Sequence, residues 1–322
     1  MIEPATIENM FESNPCEGIL FSELCDAFQR IEDMSAAGSK ETKKSKFTTI
    51  FTKKMLTRLH GYSLYPILRL LLPTADAHER GNYGLQQAKI ADTYIQAIPL
   101  GASSAEAAAL KSKPASLYGS TPLSMNRRGD FGSTLEHILS QRVSNVSSDW
   151  TIGKVNTFLD TLVSNKDKLS LIREEVFKKL SPNEQKWIMR IILKDIGGYL
   201  GFKETYIFNN LWENAKGRYE TTNSLLVVCN ELCEWQKNGG ENSASSSSSN
   251  VNNLDQFKIT LFDRFSPMLA RGLNHAGAEM ISIAVESMHR KTFIAEHKLD
   301  GERLIMHRGE LYNSNCRVNY TL

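Results

Sequence analysis

Between Gly239 and Asn253 the chain reads GGENSASSSSSNVNN, and this run divides everything else. It holds almost no apolar surface to offset the entropy of ordering it, so its composition is that of a flexible linker. It also separates two kinds of pattern. Upstream, apolar residues recur at i, i+3 and i+4, the period of an amphipathic helix. Downstream, from Phe257 through Ile259, Leu261 and Phe265, the pattern shifts towards strands, with one short helix near Glu279 to Met288. The expected organisation is an all-α domain over 1–238, a linker over 239–253 and a strand-bearing region over 254–322.

Residues 1–17 lack periodicity and read as a loose end. Phe21, Leu24, Cys25, Phe28 and Ile31 mark the first helix, and Phe47, Ile50, Phe51, Met55 and Leu59 a second that Gly61 ends. That second helix turns Lys43, Lys44, Lys46, Lys53 and Lys54 outward. The lysines suit a DNA-backbone patch or a nuclear import signal, and equally a solvated face. Tyr65 to Leu72 is a buried segment closed by Pro73. Glu79-Arg80-Gly81-Asn82-Tyr83-Gly84-Leu85 is a glycine-flanked turn leading into a helix around Ile90, Tyr94 and Ile98. After a short helix over Ala105 to Leu110, glycines and prolines make a long loop as far as Gly132, carrying Arg127 and Arg128. Helices resume around Leu135, Val155 and Ile172. Ser181-Pro182-Asn183-Glu184 is an N-cap with proline at the first helical position. It opens Trp187 to Asp195, so densely apolar that the helix must be mostly buried. Phe202 to Asn214 and Thr222 to Trp235 are the last helices before the linker.

The chemistry concentrates further on. Phe293, Ala295, His297 and Leu299 share one face of an extended run, with Ile294, Glu296 and Lys298 on the other. Asp300-Gly301 is a hairpin turn signal, and Leu304, Ile305 and Met306 begin the return strand. Glu296 and Lys298 then project from one side, about 7 Å apart, with Arg303 able to point back at them. A lysine attacks phosphorus only as the neutral amine, and a neighbouring guanidinium lowers its pKa by disfavouring a second positive charge. Arg303 can also bind phosphate oxygens, and Glu296 can accept from a ribose or purine edge. A lone K-x-D-G is more often a solvated polar hairpin. The longer E-x-K-x-D-G-x-R recurs by chance in about one of several thousand chains of this size.

Glu296-His297-Lys298-Leu299-Asp300-Gly301-Glu302-Arg303 resembles motif I of the ATP-dependent nucleotidyltransferases: DNA ligases, RNA ligases and mRNA capping enzymes. With Ser266-Pro267-Met268-Leu269-Ala270 ahead of it, the form is most similar to the eukaryotic DNA ligase IV branch. Two further segments resemble that branch: Glu79 to Leu85, and the Lys-Trp-x-x-Arg-x-Ile-x-Lys-Asp pattern of Lys186 to Asp195. The large helical region ahead of motif I separates this reading from capping enzymes and RNA ligases.

The resemblance implies a helical DNA-binding domain followed by the start of an α+β nucleotidyltransferase (adenylation) domain. Lys298 would be the catalytic nucleophile that takes AMP from ATP. Glu296, His297, Leu299 and Arg303 would line the ATP site with it, Mg²⁺ neutralising the triphosphate. AMP would pass to the 5′-phosphate of a DNA break, and the 3′-hydroxyl would displace it to seal the strand. Arg127, Arg128 and Lys194 would contact DNA phosphates. The partners implied are double-stranded DNA with nicks or breaks and, through C-terminal BRCT repeats, an end-joining scaffold protein. The implied setting is non-homologous end joining in the nucleus.

Two departures qualify this. Where the family has a Ser-Arg-Asn segment, this chain reads Ser314-Asn315-Cys316, and Arg317 replaces the arginine only if the register slips. The chain also stops at Leu322, ahead of the family's later motifs, its OB-fold and the BRCT repeats. The expectation is a truncated adenylation domain, and residues 1–322 alone that bind DNA without adenylylating themselves. A non-catalytic, ligase-derived DNA-binding module is therefore the competing class, and guanylyl transfer a weaker third.

Composition narrows the rest. A net charge of +2 over 322 residues supplies no global attraction to nucleic acid, so any such surface must be a local patch. The five cysteines are scattered, and Cys229 and Cys233 lack a second pair at zinc spacing, which disfavours metal ligation. No basic signal-peptide start occurs. The longest apolar run, Ile67 to Leu72, contains Arg69 and is too short to span a bilayer, so no membrane role is expected. There is no Walker A loop and no G-x-G-x-x-G.

Overall fold

The computed structural model describes residues 14–33, 42–101, 103–112, 130–143, 147–201, 203–212, 214–237, 282, 285–286, 310–313 and 316–319. The chain divides into two units: one runs to Asn252 without 220–222, and the other joins 220–222 to 253–322. Each is described by itself.

Helices dominate the first unit. In order they are α1 Phe21–Asp33, α2 Lys43–Phe47, α3 Tyr65–Leu71, α4 Pro73–Arg80, α5 Gln87–Ala97, α6 Ala105–Lys111 and α7 Phe131–Ser140. There follow α8 Ile152–Ser164, α9 Lys168–Leu171, α10 Pro182–Ile192, α11 Ile196–Leu200, α12 Glu204–Leu211, α13 Ala215–Thr222 and α14 Leu225–Lys237. Two of them continue in wider π-type turns, α2 through Thr48–Leu56 and α9 through Ile172–Phe177.

The unit is organised around α10. Ser181 caps it by accepting from Glu184 N, while the Glu184 carboxylate accepts from Ser181 N at 2.8 Å, a reciprocal capping box. Glu184 also accepts from Ser148 Oγ at 2.7 Å, so the cap ties the segment before α8 to α10. Trp187, Ile188, Met189 and Ile191 are fully buried. At about 1.5–3 kcal/mol for each large apolar side chain, this helix is a major part of the core. It packs chiefly on α7 and also touches α1 and α11. Gly132, in the first turn of α7, permits that approach. A Cβ there would stand 2.9 Å from the Lys186 carbonyl oxygen and 3.3 Å from Arg190 Cγ. From Trp187 an aromatic file runs to Phe28 at 4.9 Å, Phe51 at 5.9 Å and Phe47 at 4.7 Å, joining α10, α1 and α2 with its π-type continuation.

Several boundaries differ from those expected. The segment Tyr65–Leu71 ends just before Pro73 as expected, but Pro73 also opens a helix that went unread, as the first residue of α4, where its missing N–H costs nothing. Gly132 lies in a helix rather than in the preceding loop, because Asp130 caps α7 by accepting from Gly132 N and Ser133 N. The start of the chain is not loose from residue 14 onward. Cys16 and Ile19 are buried, and Phe21 N and Ile152 N exchange bonds with Trp150 O and Ile19 O across to α8. Only packing could reveal this, since so short a stretch has no period to read.

In the second unit, β1 Glu310–Asn313 and β2 Cys316–Asn319 pair antiparallel, with Glu310 opposite Asn319 and Tyr312 opposite Arg317. Ser282, Val285 and Glu286 are helical, within the short helix expected near Glu279 to Met288. No helix among the described residues is long and apolar enough to cross a membrane.

Candidate functional site

Of the segments that the sequence singled out, the structure describes two in full, Glu79–Leu85 and the Lys186–Asp195 pattern. The first two cations of the latter are spent inside the protein. Arg190 Nε and Nη2 donate to Asp130 at 2.8 and 2.9 Å, and Nη1 and Nη2 donate to Glu32 at 3.1 and 2.8 Å. The guanidinium lies between the Tyr199 and Trp187 rings, 4.0 and 4.4 Å from their centroids. Lys186 pairs with Glu136 at 2.9 Å and Glu32 at 3.0 Å, and donates to Gln29 at 2.7 Å. Both side chains are almost wholly buried. Burial pushes the Glu32 and Asp130 carboxyls up, but the hydrogen bonds and charge of Arg190 outweigh it and hold both below the usual carboxylate range. This cluster locks α1, α7 and α10 together, with both cations opposed by carboxylates.

Glu79 to Leu85 divides in the same way. Arg80 is buried, donating to the Asp76 carboxylate, to Asn156 O at 2.9 Å and to Asp160 at 2.8 Å. Arg69 completes that cluster through Asp76 at 2.7 Å and Asp160 at 2.8 Å. Glu79 accepts from Leu226 N at 3.1 Å and from the Ser224 hydroxyl, capping the first turn of α14. The turn beyond is another matter. Gly81 and Gly84 have φ of 99° and 65°, conformations that favour glycine, and they present Asn82 to solvent. Lys194, itself left-handed with φ 59°, reaches from the end of α10 to donate to the Asn82 side-chain oxygen. Two segments chosen separately from the sequence therefore meet at Asn82 and Lys194.

The lysine-rich second helix meets the end of α11. Lys43 Nζ donates to Tyr199 O at 2.8 Å, and its aliphatic stem lies over Gly201, where a Cβ would come within 2.9 Å of Lys43 Cδ. Gly201 has φ 78° and ends α11 in the left-handed conformation. Lys44 is exposed, its ammonium 5.2 Å from the centre of the Tyr206 ring. Lys203 is exposed at the head of α12. Lys194 lies before α11, while Lys43 and Lys203 lie at its end and beyond it, so three basic side chains flank this short helix in a chain with little net charge. Ammonium groups beside open backbone can hold phosphate oxygens without reading bases.

Glu296, His297, Lys298, Leu299 and Arg303 lie outside the described residues, as do Arg127 and Arg128. Lys194 is the one sequence-selected site residue with described geometry. The placing of Lys43 on Tyr199 went unread, although the lysine run around it was legible. Cys229 is buried, and Cys233 donates to Gly61 O at 2.9 Å. No cluster among the described residues could hold a metal ion.

Comparison with known proteins follows the helical unit. The sequence model of the family described as DNA ligase N terminus matches residues 20–212. The chain is 35% identical over 260 residues to DNA ligase 4 of Coprinopsis cinerea, covering 79% of this chain and 23% of that protein. It is 29% identical over 314 residues to DNA ligase 4 of Homo sapiens, covering 93% and 31%. To DNA ligase 4 of Arabidopsis thaliana it is 27% identical over 294 residues, covering 91% and 21%. The chain thus spans between a fifth and a third of the length of these relatives.

Proposed function

The chain belongs to the DNA ligase family through the N-terminal domain of those enzymes, and from that premise we propose an ATP-dependent DNA ligase of the ligase IV type. Its helical domain, over 1–238, would grip duplex DNA. The linker over 239–253 would lead to an α+β adenylation domain that begins in 254–322. What carries the reading is the match over residues 20–212, which coincides with the packed helices. The exposed Lys44 and Lys203, and Lys194 on the neutral Asn82 side chain, support the DNA-gripping part, where Lys186 and Arg190 face carboxylates.

In the chemistry proposed, Lys298 loses its proton and its nitrogen bonds to the α-phosphorus of ATP as the bond to pyrophosphate breaks. Arg303 favours the neutral amine and binds phosphate oxygens. Glu296, His297 and Leu299 line the nucleotide pocket. Mg²⁺ would supply charge neutralisation at the triphosphate. Arg127 and Arg128 add phosphate contacts to those of Lys194. The setting proposed is double-strand break repair by end joining in the nucleus, with a scaffold protein as partner.

Labelling with ATP radioactive at the α-phosphate tests the chemistry, on a chain of the relatives' length. Covalent label on the wild type and none on Lys298→Ala or Lys298→Arg is the expected result, since a guanidinium stays protonated. Label surviving in either variant moves the nucleophile elsewhere, and label from GTP alone overturns adenylylation. Residues 1–322 by themselves should bind nicked duplex in a sequence-independent, salt-sensitive manner without measurable self-adenylylation. Robust labelling of Lys298 in that chain would show its pocket to be sufficient.

A further inference from the structure

We propose that Lys168, Lys194 and the N-terminus of α5 form a phosphate-binding notch around the turn Asn82–Gly84, with Lys168 a DNA contact that no sequence pattern marks. This deepens the reading above and rests on it. Lys168, at the head of α9, donates to Tyr83 O at 2.6 Å, while Lys194 donates to the side chain of the adjacent Asn82. Both residues are half-buried, and neither pairs with a carboxylate among the described residues. The acids near them along the chain have other partners: Asp167 caps α9 by accepting from Ser170 N at 3.1 Å, Asp160 is taken by Arg69 and Arg80, and Asp195, next to Lys194, is hydrogen-bonded by Tyr199.

Two further features point the same way. Gly84 has open space where a Cβ would stand, so a ligand can approach its backbone. Three residues on, α5 begins at Gln87 behind Gln86, which places no side-chain oxygen on the helix. The N–H groups of Gln87 and Ala88 have no acceptor among the described residues, and the helix's partial positive charge faces the same turn. A bare carbonyl and an amide oxygen hold two cations in place without neutralising them. The missing partner is an anion, and a backbone phosphate of duplex DNA matches donors that carry no base-reading groups.

The test is fluorescence anisotropy on a labelled duplex, across a salt series, for residues 1–322 and the variants Lys168→Gln, Lys194→Gln and the pair. The pair should weaken binding equally for unrelated sequences and flatten the plot of log affinity against log salt by about 1.8, or about 0.9 for each phosphate lost. Lys168→Arg, which keeps donor and charge, should retain the wild-type slope. A wild-type slope in Lys168→Gln overturns the inference while leaving the ligase reading intact. Inorganic phosphate, followed through the amide resonances of Gly84, Gln87 and Ala88, separates the two sources. Shifts that vanish in the pair, from a wild type that ignores duplex, keep the phosphate notch and sink DNA as its ligand. No shift together with no duplex binding removes both.

Discussion

Arg190 and Lys194 stand one helical turn apart on the same run of sequence and do opposite work. Arg190 faces Asp130 and Glu32 between two aromatic rings, so its charge is cancelled within the protein. Lys194 lies beyond the left-handed end of α10 and faces a neutral amide, so its charge remains available. The difference teaches that a basic residue in a binding motif is read by what opposes it. A buried cation opposed by carboxylates holds helices together; a half-buried one opposed by carbonyl oxygen waits for an anion.

The sharpest way to break the comparison is Arg190→Ala, which leaves Asp130 and Glu32 buried without their partner. It should cost about 3–5 kcal/mol, read from urea unfolding. A neutral result would mean that the cluster is not structural. Gly132→Ala comes next, because the new methyl meets the Lys186 carbonyl and α7 must move off α10; about 1–3 kcal/mol is expected. Acid probes the same cluster without mutation. Glu32 and Asp130 have folded-state pKa values below the ordinary range, so their stabilisation is complete above that range and is lost as pH falls through the lowered values. Unfolding midpoints should therefore drop on acidification below about pH 4, and less so in Arg190→Ala. Ser181→Ala removes one side of the capping box and should cost about 1 kcal/mol. The smallest effect belongs to Lys194→Gln, within about 0.5 kcal/mol in stability. A large loss there would place Lys194 with Arg190 as a structural residue.

How much of this was legible varies by element. The Ser181 cap and the dense apolar run after it announced α10 and its burial, because capping and periodicity are local properties. Pro73 was legible as a boundary, but whether proline ends one helix or begins the next depends on the chain either side. α11 and α13 went unread: one is five residues containing two glycines, the other is largely polar, and both are settled by their neighbours. Lys168 carries no signal at all, since its meaning comes from Tyr83, 85 positions away.

The sequence by itself determined the helical character of most of the chain ahead of the linker, the serine-rich divide and the E-x-K-x-D-G-x-R pattern on which Lys298 was chosen. Each is written in residues close together along the chain. Which cations are structural and which are exposed to a ligand was decided by the tertiary structure alone. Lys186, Arg190, Lys194 and Arg80 are equally basic on paper. Only folding sets Asp130, Glu32 and Asp76 against three of them and Asn82 against the fourth, and the energy of a charge depends on what it faces once water is gone.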